Sequence, residues 1–295
     1  MKKQLLLPLS LLLPLLLSAQ NASEPDIFAR LQGIRQEQAD FFELEGYEIF
    51  AQVIEQPFTP EGIKKTKKQL KIKTAQAPYR SGAFKPNNLV FQQSDQKTPK
   101  LLNYQSWYLF EEGTTQTLCI GFGAMNKKDT LLEQAFVQAY LTGAIPPDCY
   151  TPMQVDSIDF AGRYLSLGGS CNWMSVHNIQ CPYYGQMNWS LHRSAADAQI
   201  KLDAQYEAAT TRKIGKVLDN KMVDVVFEGV ETRAMRVVYK VKIPAMMMGG
   251  SNILIIYYVN APVRGNHVCC VMSHYTNAML NAGLPPLLEK VMQLK

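Results

Sequence analysis

Two imidazoles and two thiols fall within one short run, His267-Val268-Cys269-Cys270-Val271-Met272-Ser273-His274. Neutral imidazole and thiolate are good ligands for zinc or copper. A thiolate beside an imidazole is also the pairing of a cysteine nucleophile with its base. The same run reads as a β-strand, however, and strand geometry separates the four groups. His267 and Cys269 point to one face; Cys270 and His274 point to the other, ~13 Å apart at ~3.3 Å per residue. No local signature of a cysteine protease surrounds the thiols. The reading taken is a central strand whose thiols pack in the core or pair in disulfides. No catalytic residue, metal or cofactor is assigned. An exported hydrolase or a thiol- or metal-dependent enzyme using His267, Cys269, Cys270 and His274 stands as the competing reading.

Aromatic residues form a second candidate. Trp173, Tyr183, Tyr184 and Trp189 cluster around an expected hairpin, beside His177 and His192. Aromatic surfaces bind sugars and protein partners, and strand alternation turns some of these rings outward. Trp173, His177, Tyr183, Tyr184 and Trp189 are therefore the expected ligand-binding residues. A third candidate is the lysine-rich segment that includes Lys64, Lys65, Lys67 and Lys68. On a helix these lysines could make weak contact with an anionic membrane, although only Ile63, Leu70 and Ile72 supply an apolar face. Gly121-Phe122-Gly123 lacks the glycine spacing and the strand-to-helix turn of a phosphate cradle. Asn21 and Asn188 stand in glycosylation sequons, which matter only in a eukaryotic host.

The first residues fix the expected compartment. Lys2 and Lys3 precede a leucine-rich run from Leu5 to Leu17, followed by the small residues Ser18 and Ala19. That is the build of a cleavable signal peptide over residues 1–19. The product is expected to be exported, periplasmic or secreted, with no later segment able to cross a membrane as a helix. Of the formal charge of +5, the segment carries two lysines. The remainder is too balanced to demand a nucleic-acid partner. Export makes disulfides the expected state of the six cysteines. Cys171 and Cys181 flank a turn-like stretch between two strand-like runs, so they are expected to pair across a hairpin. Their positions sum to an even number, which asks for a loop of odd length centred near Val176.

The elements that would position these groups follow from periodicity and caps. Ser23 to Asp26 looks like a helix start, with Ile27, Leu31, Ile34 and Phe41 at helical spacing. Tyr47–Ile54 is expected as a strand. Thr59-Pro60-Glu61 opens a helix, and Leu89-Val90-Phe91 reads as a short strand. Ser106–Phe110 and Thr117–Phe122 form a hairpin. Asp129 caps a helix that Gly143 and Pro146-Pro147 stop. The second half brings strands over 158–167 and 171–191, then a polar helix over 194–212. Four strands follow: Met222–Phe227, Arg233–Ile243, Ile253–Val259 and His267–His274. The third of these is apolar on both faces and belongs mid-sheet. A closing helix is expected over 285–294.

The order of elements in the second half resembles the PsbP-like arrangement, an antiparallel sheet between helices. The fold class read from these patterns is α+β, an antiparallel β-sheet packed by helices in two lobes, residues 20–148 and 149–295. The function expected is a non-catalytic binding or accessory module for protein, glycan or small ligand.

Overall fold

The computed structural model describes residues 26–295, except 75, 95–102, 126–127, 154, 168–170, 183–184, 212–214, 243, 246–250 and 276–282. The expected signal segment therefore lies outside the described residues. So do Ser23, Tyr183 and Tyr184. The chain is mostly antiparallel β-sheet, with four α-helices among the described residues, and is richer in strand than expected. No described helix is long and apolar enough to cross a membrane.

The first sheet has six strands, in the order β1-β2-β3-β6-β5-β4. They are β1 Gln32–Arg35, β2 Asp40–Leu44, β3 Tyr47–Ile54, β4 Asn88–Ser94, β5 Tyr104–Glu112 and β6 Gln116–Ala124. Alternation along β3 buries Tyr47, Ile49 and Ala51 on one face, as the two-residue period of a strand requires. Helix α2 (Thr130–Leu141) starts where Asp129 accepts the amide of Leu132. Its Phe136 packs edge-on against Phe42 (5.0 Å) and Phe122 (5.7 Å) on that same face. Helix α1 (Pro60–Gln69) starts at Thr59, which accepts from the Gly62 amide. It covers the opposite face, where Ile63 joins Ile54, Phe91, Trp107 and Cys119. A Cβ on Gly121 of β6 would stand 2.1 Å from the Phe50 ring, so any larger residue there requires that ring to move.

The second sheet has eight strands, in the order β16-β12-β13-β14-β15-β11-β10-β9. They are β9 Asn172–Ser175, β10 Asn178–Cys181, β11 Gly185–His192, β12 Gly215–Phe227, β13 Val230–Val241, β14 Ile253–Val263, β15 Asn266–Tyr275 and β16 Met292–Leu294. β14 lies mid-sheet, where its apolar faces put it. Helix α3 (Ala195–Thr210) is capped by Ser194. Its Ala198 and Leu202 cluster with Val237, Ile256, Tyr258 and Cys269 on one face of the sheet. The opposite face is covered by the hairpin of β7 (Ser157–Phe160) and β8 (Arg163–Ser166), and by the short helix α4 (Pro286–Glu289).

Two-residue turns close the hairpins β2–β3, β7–β8, β12–β13 and β14–β15. They are Glu45-Gly46, Ala161-Gly162, Glu228-Gly229 and Arg264-Gly265, with positive φ at both positions in each. Such turns match the right-handed twist of the strands they join. The Glu228 carboxylate is caught between the guanidinium groups of Arg163 and Arg264. Arg264 also donates to the carbonyls of Phe160 and Ala161, so one buried acid ties three hairpins together. β12 forms the outer edge for most of its length. β16 pairs only with Val225–Phe227, and a register shift sets Leu218 out of line between Val217 and Asp219.

Three expectations need correction. The segment expected as a helix across Ile27–Phe41 is one 3-10 turn (Phe28–Arg30) and then the β1–β2 hairpin. Ile34 and Phe41 are opposite neighbours across that hairpin, so their spacing mimicked a helical repeat. The closing helix over 285–294 is a single turn, after which β16 returns to pair with β12. The Cys171–Cys181 disulfide is present, but the loop between its strands is not odd. A two-residue turn, Val176-His177, is followed by a bulge that shifts the register between Asn178 and Ile179. The bulge supplies the extra residue.

Replacing Gly121 by Val should cost about 1–3 kcal/mol in urea unfolding, as overpacking does. A second change, Phe50→Leu, should recover part of that loss if the Phe50 ring is the obstacle.

Candidate functional site at the junction of the sheets

The turn at Val176-His177 carries His177, in the left-handed region (φ +56), into the face of the first sheet. There β1 and β2 present Gln32 and Glu43 as register partners. The Nδ1 atom of His177 lies 2.8 Å from Oε2 of Glu43, and Nε2 meets the Gln32 amide oxygen. The Nδ1–Oε2 approach is close, and neither atom has an aligned hydrogen bond. The imidazole also stacks on the indole of Trp189, with centroids 4.8 Å apart. Glu43 spends its other oxygen on the Gly46 amide (2.6 Å). His177 and Glu43 are both buried, 1% and 5% exposed.

Beside this contact stands a second polar group. Lys201 of α3, itself buried, donates from Nζ to the Gly46 carbonyl (2.9 Å). Gly46 needs its glycine twice over, for φ +86 and because a Cβ would sit 3.0 Å from the His192 ring. His192 meets Ser190 Oγ through Nε2 at 2.8 Å, while its Nδ1 has no partner. Burial pushes the His192 pKa down to about 4; Lys201 and His267 act in the same direction, and Glu43 and Asp197 oppose them. Ser190 with His192 has the spacing of a nucleophile and its base. Yet Ser190 is 2% exposed and lines none of the described cavities, and no carboxylate orients the imidazole through Nδ1. The pair is part of the packing between sheets.

The junction opens outward on two sides. One opening is a charged cleft of about 80 Å³, walled by Glu45, Tyr47, Asp129, His192, Arg193 and Lys201. Arg193 joins Glu45 (2.7 Å) to Asp129 (3.3 Å), and Arg30 holds the other oxygen of Glu45 (2.9 Å). The second opening is an apolar groove of about 290 Å³ between β1–β3 and β9. Trp173, Met174, Met153 and Phe41 line it. Phe41, Met153 and Met174 are 39%, 54% and 57% exposed, and the Trp173 indole donates to the Pro152 carbonyl (3.2 Å).

Of the residues expected to bind a ligand, Trp173, His177 and Trp189 form one aromatic column, with the two indoles 6.3 Å apart. Only Trp173 reaches the groove; His177 and Trp189 are buried beneath it. Tyr183 and Tyr184 lie outside the described residues. Cys269 faces α3 and Cys270 faces the opposite core, as strand alternation requires. Burial pushes the Cys269 thiol up to about 12 and the Cys270 thiol well upward. His267 pairs with His192 across the strands, and His274 is lowered by burial. Among the described residues, no three of His, Cys, Asp or Glu are grouped to hold a metal. Lys64, Lys65 and Lys68 are exposed on α1, whereas Lys67 lies 4.7 Å over the Phe91 ring. Ile63 of that helix is already spent on the first sheet.

The sequence reading missed Gln32, Glu43 and Lys201. One signal was available: Glu45-Gly46 between two apolar runs is a hairpin turn, which would have placed Glu43 near its end.

No family model matches the chain, and no curated protein matches it. Among solved structures it is similar to the di-domain ARO/CYC StfQ from the steffimycin biosynthetic pathway, at 11% identity, covering 89% of this chain and 81% of that one with a TM-score of 0.18. It is also similar to the di-domain ARO/CYC BexL from the BE-7585A biosynthetic pathway, at 10% identity, covering 92% and 85% with a TM-score of 0.17. Superpositions this loose establish neither fold nor function.

The junction should be sensitive to acid. His192 is neutral in the fold down to about pH 4, whereas a free histidine takes up its proton near pH ~6.5. Between those values the unfolded chain binds more protons, so stability is full above pH ~6.5 and falls as the pH drops. The expected loss is up to about 3 kcal/mol. Urea unfolding of His192→Gln between pH 7 and 4 should lack that component, seen as a stability profile flatter with pH than that of the parent chain.

Proposed function

We propose that this chain is an exported, non-catalytic binding module of two lobes divided near residue 148. Its groove beside Trp173 holds apolar side chains of a partner protein. One observation carries the reading. Phe41, Met153 and Met174, three of the large exposed apolar side chains, converge with Trp173 on a single groove. Tryptophan, phenylalanine and methionine are enriched where proteins meet, and thioethers adapt to varied partners. Grouped exposed apolar residues mark interaction sites, whereas single ones need no explanation. The division into lobes is supported by the separate apolar clusters on the two sheets.

Two features support export. The segment over 1–19 has the signal-peptide pattern, and a disulfide of the Cys171–Cys181 kind persists in oxidising compartments. The competing thiol enzyme finds less support. Its two cysteines lie on opposite faces of β15, and burial holds both thiols protonated.

Sequencing the N-terminus of the exported product should place the cut within about two residues of Ala19; an intact Met1 would overturn the address. For the groove, panning a random peptide display library on the oxidised protein should enrich sequences carrying large apolar residues. A synthesised winner should shift Trp173 emission to the blue, because Trp107 and Trp189 are already buried. Trp173→Ala with Met174→Ser should weaken that peptide at least about tenfold. Unchanged affinity in the double variant would sink the reading.

A further inference from the structure

The second sheet carries another cavity, away from the junction groove. It lies between the C-terminal half of α3 and strands β11, β15, β14 and β13, with a volume of about 290 Å³. Three carboxamides (Gln186, Asn188 and Gln205) and the hydroxyl of Ser273 stand along one side. Tyr239, Tyr258 and aliphatic residues such as Ile256 form the other. Among the described residues, no Lys, Arg, His, Asp or Glu lines it.

The carboxamides are held in place by their neighbours. Gln205 Nε2 donates to Asn188 Oδ1 (3.0 Å), and Gln186 Nε2 donates to Asn178 Oδ1 (2.9 Å). The Cys269 thiol lies behind Gln205, 3.6 Å from its Oε1. A carboxamide carries two donor hydrogens and an oxygen with two lone pairs. Asn188 spends its oxygen and Gln186 its nitrogen in these bonds. Donor capacity on Asn188 and acceptor capacity on Gln186 are left at the cavity wall. In register, Gln186 stands opposite Ser273 and Asn188 opposite Val271, so the polar row meets the apolar floor along β15.

We propose that this cavity is a binding site for one neutral sugar ring. A pyranose presents hydroxyls that both donate and accept around its rim, and an apolar C–H face that lies against aromatic or aliphatic surface. The cavity offers those two kinds of wall, and among the described residues its lining places no charge to compensate an ionic ligand. Its volume is at the lower end for small-molecule sites, which suits a single ring.

The test is a titration of the intact oxidised protein with glucose, galactose and N-acetylglucosamine, followed by saturation-transfer NMR, with glucuronate as the charged comparator. At least one neutral sugar should bind with a Kd below about 10 mM, more tightly than glucuronate. Gln186→Leu with Gln205→Leu should weaken it at least about tenfold. Ala209→Phe fills the cavity while keeping all three carboxamides and should abolish the signal. It decides the matter if the double variant does not fold. Trp173→Ala should leave sugar binding unchanged. Absence of binding by all three sugars, or binding that survives Ala209→Phe, would overturn the proposal.

Discussion

The burial of His177 against Glu43 is the constraint on which the arrangement of the two sheets depends. An ionisable pair removed from water loses its hydration, and the loss is offset only where geometry and further partners are good. Here the partners are supplied from both sides: the Gly46 amide for Glu43, Gln32 and the Trp189 face for His177. Sliding one sheet along the other would leave these groups buried and unpaired, at a cost of several kcal/mol. The apolar contacts around them tolerate small shifts far better. The polar cluster therefore specifies one docking geometry more than it adds stability.

Both sheets solve a related problem at their hairpin turns. Glu45 and Glu228 each sit at the first position of a Glu-Gly turn, and each is held by two arginines distant in sequence. Arg30 and Arg193 hold Glu45; Arg163 and Arg264 hold Glu228. The Glu228 side chain is 1% exposed and that of Glu45 is 9% exposed, so these are not the loose surface pairs that contribute little. The first network joins the sheets to each other. The second ties the β7–β8 hairpin to two hairpins of the eight-stranded sheet through a single carboxylate.

Much of the fold was legible because its signals are local. Thr59 and Asp129 cap helices where their positions said they would, and β3 keeps the bounds that its apolar and aromatic residues gave. The disulfide followed from two cysteines flanking a turn. What failed was either ambiguous or remote. Ile27, Leu31, Ile34 and Phe41 fit a helical repeat, and nothing local revealed that Ile34 and Phe41 face each other across a hairpin. The closing strand β16 is three residues long and exists because β12 offers it an edge. The junction was illegible for the same reason. Glu43, His177 and Lys201 are each ordinary in sequence, and they meet only after both sheets have formed.

The outer strand β12 bears on how the molecule behaves in a crowd. Most of its edge offers amides and carbonyls to solvent, the template by which sheets join end to end. Leu218, set out of register, breaks the regular hydrogen-bonding row. Lys216, Asp219, Lys221 and Asp224 surround it with charges of both signs. The opposite end of the sheet is a strand of four residues pinned by a disulfide. Both ends of the second sheet thus carry features that oppose edge-to-edge pairing between copies of the chain.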